Sequence, residues 1–229
     1  MSNAAETQHR FQSSDLLWLV FFLIAFGTVL FGIVLFGQMG DHHDLARSRY
    51  VFEQQLAALK AGQSNSVWLY DARGADALLS QLAGMPEVVE LSVDSTDASD
   101  TGFAAVATLP NLRTLSVNRT GLTDQALAQF KSAPLLESLS LKNTHVTGEG
   151  LRSLQHFPKL RELSIQFEHA GRLTPSDDTI KGLAELSQLK SLHLGGATGD
   201  WTIIDAVEML RTKLPGCSIT TDLTPRDKK

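Results

Sequence analysis

The sequence predicts an α/β solenoid of short parallel strands behind a single membrane-spanning helix. Two observations carry that prediction. From Pro86 to Phe167 the pattern proline, x, apolar, x, x, apolar, x, apolar returns every 24 residues, and Leu16–Gly37 is a 22-residue run without a charged side chain. A third observation sets the frame: 43% hydrophobic and 20% charged residues over 229 positions describe a chain able to bury a core.

The N-terminal tail, residues 1–15, contains Glu6, Arg10 and Asp15. The run Leu16–Gly37 then spans about 33 Å as a helix at about 1.5 Å per residue, against a hydrocarbon core of about 30 Å. A cleaved signal peptide needs a shorter apolar region of about 7–15 residues. The run therefore reads as a transmembrane helix and signal anchor. Basic residues near its ends (Arg10 on one side, Arg47 and Arg49 on the other) barely separate the two orientations. A long folded domain after an early anchor favours a cytoplasmic N-terminus and an extracytoplasmic repeat domain. Residues 38–61 follow as a juxtamembrane helix or linker, with Leu45, Phe52, Leu56 and Leu59 on one helical face. That face suits a lid over the first repeat, and a short dimerising coiled coil is the other use for it.

Prolines 86, 110, 134 and 158 open four turns with apolar triplets Val88/Leu91/Val93, Leu112/Leu115/Val117, Leu136/Leu139/Leu141 and Leu160/Leu163/Ile165. One period earlier, Val67 and Leu69 keep the phase, so Gly62–Met85 is a degenerate first turn in which Trp68 and Tyr70 shield the end of the stack. Alternation makes each L-x-L a strand with every second side chain inward. A polar turn with threonine follows (Ser95-Thr96, Arg119-Thr120, Asn143-Thr144). Thr123 or Asp124 is placed to cap a helix by accepting bonds from its first amides. The next proline ends that helix.

These residues carry a resemblance. The string T-x-[LV]-T-[DG]-x-[AG]-L at Thr120–Leu127 and Thr144–Leu151 resembles the T-x-V-T-D-x-G-L leucine-rich repeats common in bacterial cell-envelope proteins, related to the ribonuclease-inhibitor-like and cysteine-containing subclasses. The resemblance covers residues 62–222. It implies a parallel β-sheet on the concave side, helices on the convex side and a role in binding protein rather than in a reaction.

The period breaks once. The next strand, Leu189/Leu192/Leu194, begins a turn at Ser187, 29 residues after Pro158, so five extra residues fall within Gln166–Pro175. Insertions of this kind map to loops that are often on the binding face, and a tolerant loop also drifts without function. Ser176 or Asp177 can cap the following helix. Asp200–Leu214 reads as the last helix and Leu214–Ile219 as a closing strand, where Cys217 is a small apolar plug. Residues 223–229 form a polar tail.

The formal net charge of −5 leaves no basic footprint for nucleic acid. One cysteine excludes an intramolecular disulfide framework. The chain has no G-x-S-x-G elbow, phosphate loop or H-E-x-x-H helix, and its histidines fall at unrelated repeat positions, so neither enzyme activity, metal nor cofactor is expected. The concave columns run Ser92/Ser116/Ser140/Ser164/His193 and Asp94/Asn118/Lys142/Gln166/Gly195, with Val89/Arg113/Glu137/Arg161/Lys190 beside them. Arginines and aromatics dominate binding energetics, so Arg113, Arg161, Ser164, Gln166, Phe167, His169 and His193 are the candidate protein-binding residues. The expected function is protein–protein interaction by a membrane-anchored leucine-rich repeat domain, with an unidentified protein as partner. The alternative is a structural scaffold or spacer in a membrane complex, assembled through the transmembrane and juxtamembrane helices.

Overall fold

A computed structural model describes residues 45–130, 133–167, 173–196 and 201–222. All belong to one compact unit, His43–Lys229; a second unit, Met1–His42, lies outside them. The expected anchor Leu16–Gly37, the tail 1–15 and the tail 223–229 therefore also lie outside the described residues. Among those described, no helix is long and apolar enough to cross a membrane.

Seven strands form one all-parallel sheet in chain order: β1 (Ser66–Tyr70), β2 (Glu90–Asp94), β3 (Thr114–Ser116), β4 (Ser138–Ser140), β5 (Glu162–Gln166), β6 (Ser191–Gly195) and β7 (Ser218–Thr221). Leu91 is partnered with Leu115, Leu115 with Leu139 and Leu139 with Leu163, each step being one 24-residue repeat. Between β5 and β6 the step lengthens: Leu163 is partnered with Leu192. The extra residues leave the ladder unbroken because they sit beyond the strand.

Between strands the chain returns through short helices. These are α2 (Ala75–Leu79), α3 (Asp100–Val106), α4 (Asp124–Gln129), α5 (Gly148–Leu151), α6 (Asp177–Ala184) and α7 (Trp201–Lys213), after the N-terminal α1 (Leu45–Lys60). The helices at Ala75 and Gly148 tighten into 3-10 turns at Ser80–Leu82 and Arg152–His156. A 24-residue period leaves room for little more than a turn or two, and Gly148 and Gly150 weaken the α-helix further. The core lies between sheet and helices. It holds the inward strand residues with Phe103, Phe130 and Phe157, all essentially inaccessible, and the Phe103 and Phe130 rings lie 6.4 Å apart.

The repeat motif is explained by this geometry. Thr120 is buried and donates to the Val117 carbonyl at 2.8 Å, closing the turn after the strand. Leu122 enters the core. Thr123, Thr147 and, in α3, Ser99 are the N-caps, each accepting from the amide two residues on. The aspartate in the helix's first turn does something the local pattern does not disclose: it bonds to the cap of the next turn. Asp76 takes the Ser99 amide and hydroxyl at 2.8 and 2.5 Å. Asp100 takes those of Thr123 at 3.1 and 2.5 Å, and Asp124 those of Thr147 at 2.8 and 2.6 Å. A ladder of carboxylates thus joins successive helix starts. It ends at Gly148, where the Thr179 hydroxyl occupies the space a side chain would need. Asp71, Ser95, Arg119 and Asn143, one per turn, hold left-handed backbone with φ of 52–56°.

The N-terminal edge is closed by α1. Phe52 and Leu59 are fully buried, and the Gln55 side chain accepts from the Trp68 amide at 2.7 Å while donating to the Trp68 carbonyl at 2.9 Å. One amide side chain satisfies the edge strand in place of a neighbouring strand. The lid reading of residues 45–60 is therefore the observed one, and it uses residues a coiled coil through the same face would need.

Candidate protein-binding face

The outward residues of the seven strands form an open sheet face. Register places Ser66, Glu90, Thr114, Ser138, Glu162, Ser191 and Ser218 in one column, and Trp68, Ser92, Ser116, Ser140, Ser164, His193 and Thr220 in the next. The third column begins Tyr70, Asp94 and continues through Asn118 and Lys142, one repeat apart, to Gln166 and Gly195.

The centre of this face is internally bonded. Asp94 accepts from the Ser92 hydroxyl at 2.8 Å, the Ser116 hydroxyl at 2.8 Å and the Asn118 amide at 2.7 Å. Asn118 repeats the arrangement one turn on, accepting from the Ser140 hydroxyl at 2.7 Å and the Lys142 amide at 2.9 Å. The serine column is thus part of a satisfied network that caps the C-terminal ends of the strands.

The candidate residues divide. Ser164 and Gln166 lie half-buried on the open face, as expected, and Gln166 accepts from the Asn143 side chain at 3.2 Å. Arg113 pairs with Glu137 on the next turn. Arg161 does not join that pair; it donates to the Gln188 carbonyl at 3.0 Å. His193 lies between Thr220, with Nδ1 3.1 Å from the hydroxyl, and Asp222, with Nε2 3.3 Å from a carboxylate oxygen. His169 lies outside the described residues. Phe167 has to be corrected: it is not on the binding face but in the core, with 1% of its surface accessible. Extended alternation continues one residue past β5, so Leu163, Ile165 and Phe167 all point inward, and the Phe167 amide bonds to the Gly195 carbonyl at 2.9 Å. The position one period after Asn143 holds a buried aromatic instead of a left-handed polar residue.

The aromatics of the open face are at its other end. Trp68 and Tyr70, 63% and 73% exposed, stand on β1 with outward parity. This overturns the expectation that they shield the end of the stack: outward parity leaves both open, and α1 covers that edge instead. Glu90 and Asp94, on the adjacent β2, are the register partners of Ser66 and Tyr70.

Elsewhere, burial pushes the Cys217 thiol above its ordinary value, with Lys190 opposing the shift. That suits the packing role expected of it and not a nucleophile. Among the described residues, no group of three or more His, Cys, Asp or Glu side chains is positioned to hold a metal ion.

Parallel strands at a 24-residue register, backed by helices and linked by in-phase turns, define a leucine-rich-repeat-like α/β protein. Among solved structures, leiomodin-1 actin-binding site 2 is similar, with a TM-score of 0.41 and 20% identity over 61% of this chain and 88% of that one. No family model matches the chain. No curated protein matches it.

Proposed function

We propose that this chain is a membrane-anchored protein of the bacterial cell-envelope type that binds another protein through the open face of its repeat sheet and performs no catalysis. The observation that carries the reading is the exposed pair Trp68 and Tyr70, two residue types that dominate binding hot spots, on a face otherwise polar and flat. Leu16–Gly37 supplies the anchor, with the N-terminus cytoplasmic and the repeats outside. A photo-crosslinking side chain placed at Ser140 of the full-length protein should capture a discrete partner in intact cells. The same side chain at the exposed Arg211, away from the sheet face, should not. Protease should reach the repeats in cells whose outer barrier is opened while the inner membrane stays sealed. Capture from Arg211 but not Ser140 would refute the face. Repeats protected until the inner membrane is lysed would refute the topology.

A further inference from the structure

Six large hydrophobic side chains stand exposed among the described residues, and five of them (Leu45, Tyr50, Val51, Trp68 and Tyr70) belong to α1 and β1. Trp68 and Tyr70 alone also lie on the open sheet. Two residues apart on one strand, they stand about 6.6 Å from each other, and β2 runs about 4.8 Å away. What β2 presents there is Ser92, the register partner of Trp68, flanked by the carboxylates Glu90 and Asp94, the latter opposite Tyr70. Neither has a cationic partner among the described residues. Asp94 is held by three hydrogen-bond donors, all neutral, so its charge is oriented but not cancelled. Along the outward strand columns, Glu90, Asp94 and Glu162, joined by Asp222, stand against Lys142 and His193. The flanking column adds Arg113, Arg161 and Lys190 against Glu137, with Arg113 paired to Glu137 and Arg161 donating to the Gln188 carbonyl. Two exposed ring faces bordered by fixed negative charge make a receptor for a cation, because the ring quadrupole and the carboxylates attract the same group. Guanidinium suits such a site better than ammonium, since it stacks on a ring while its edge meets a carboxylate.

We propose that the β1–β2 end of the open face docks an arginine-bearing segment of a protein partner, its guanidinium stacked on Trp68 or Tyr70 and its charge met by Glu90 and Asp94. This rests on the open face being the protein-binding surface and names the chemistry of what it binds. The probe is a fluorescent 12-residue peptide of alternating arginine and serine, titrated into the full chain in neutral detergent micelles. Controls replace arginine by citrulline, which is nearly isosteric and neutral, or by glutamate. The arginine peptide should bind at least tenfold more tightly than the citrulline peptide, and the glutamate peptide should not bind. Trp68→Ala and Tyr70→Ala should each weaken binding about tenfold. Both side chains are largely exposed, so the fold is unaffected. Glu90→Gln with Asp94→Asn should weaken binding and flatten its salt dependence.

Equal affinity for the citrulline peptide, or arginine-peptide binding that survives the double variant Trp68→Ala/Tyr70→Ala, overturns the proposal. So does a Trp68-dependent fluorescence change with phosphatidylcholine vesicles and none with peptide, which would make this end a lipid-facing surface. A partner crosslinked from Ser140 whose docked segment lacks arginine refutes this inference and leaves the binding face standing. Failure of the Ser140 crosslink removes the binding face itself.

Discussion

Replacing Asp124 by alanine tests whether the carboxylate ladder holds successive turns together. Asp124 accepts the Thr147 amide at 2.8 Å and the Thr147 hydroxyl at 2.6 Å, from a half-buried position. Hydrogen bonds to a charged acceptor contribute about 1.5–3 kcal/mol each. Water can reach this site, so the lower bound applies, and two bonds give about 3 kcal/mol. Losing a favourable charge in the first turn of α4 costs about 0.5 kcal/mol more, and the better helix propensity of alanine offsets a similar amount. The net expectation is about 3 kcal/mol, or a fall in Tm of about 6–12 °C for a chain of this size. Asp124→Asn keeps an acceptor for the Thr147 amide and should lose about half as much.

Urea unfolding of the full chain in micelles, followed by circular dichroism, measures the loss. Thr147→Ala and the double variant complete a cycle whose coupling energy should be about 1.5–2 kcal/mol. Gln125→Ala, exposed on the same turn, is the control and should stay within about 0.5 kcal/mol. The reasoning is refuted by a loss below about 0.5 kcal/mol for Asp124→Ala together with zero coupling to Thr147. Because a solenoid is stabilised by contacts between neighbouring turns, such a result would move the joining role wholly onto the apolar core.

Gly150→Ala should destabilise by about 1–3 kcal/mol, because its new methyl would lie 2.5 Å from the Asp124 carboxyl carbon; in an Asp124→Ala background, unfolding should show most of that penalty gone. Phe167→Ala should cost about 3–5 kcal/mol in the same assay, whereas a surface anchor at this position would lose under about 1 kcal/mol. Cys217 should alkylate with a pH midpoint above that of the urea-unfolded chain, since burial favours its neutral thiol and thiolate forms only as pH rises through the elevated value; coincident midpoints would contradict this.

The strand register was legible because one period fixes it: every residue of the apolar triplets is buried, and the middle residue of each lies within a strand. Thr123 as a cap was legible as one of two choices, and Ser176 likewise, with its hydroxyl accepting from Thr179. The cross-turn use of Asp124 was not, because its partner is 23 residues away and lies beside it only once the turns are stacked. The Phe167 position was not legible from the L-x-x-L-x-L core, which ends at Ile165, while the strand runs on to Gln166 and its pairing reaches the Phe167 amide. Parity alone, carried two residues further, returns it to the core.

The same parity moves the proposed binding site to the other end of the sheet. In a repeat sheet the inward columns must be apolar and the turn column must tolerate left-handed backbone, so only the outward columns are free to encode recognition. Along those columns Ser92, Ser116 and Ser140 bond into the Asp94 and Asn118 network, which flattens the middle of the face and leaves it little to offer a partner. At the C-terminal end His193 is engaged by Thr220 and Asp222. Among the described residues, only at β1 do large hydrophobic side chains leave the sheet with their surfaces exposed, and there the backbone relies on Gln55 for edge bonds. A terminal strand needs no aromatic residues for packing when α1 already supplies Phe52 and Leu59. Among the described residues Trp68 and Tyr70 therefore have no packing role, and this is what supports placing the proposed partner at this end.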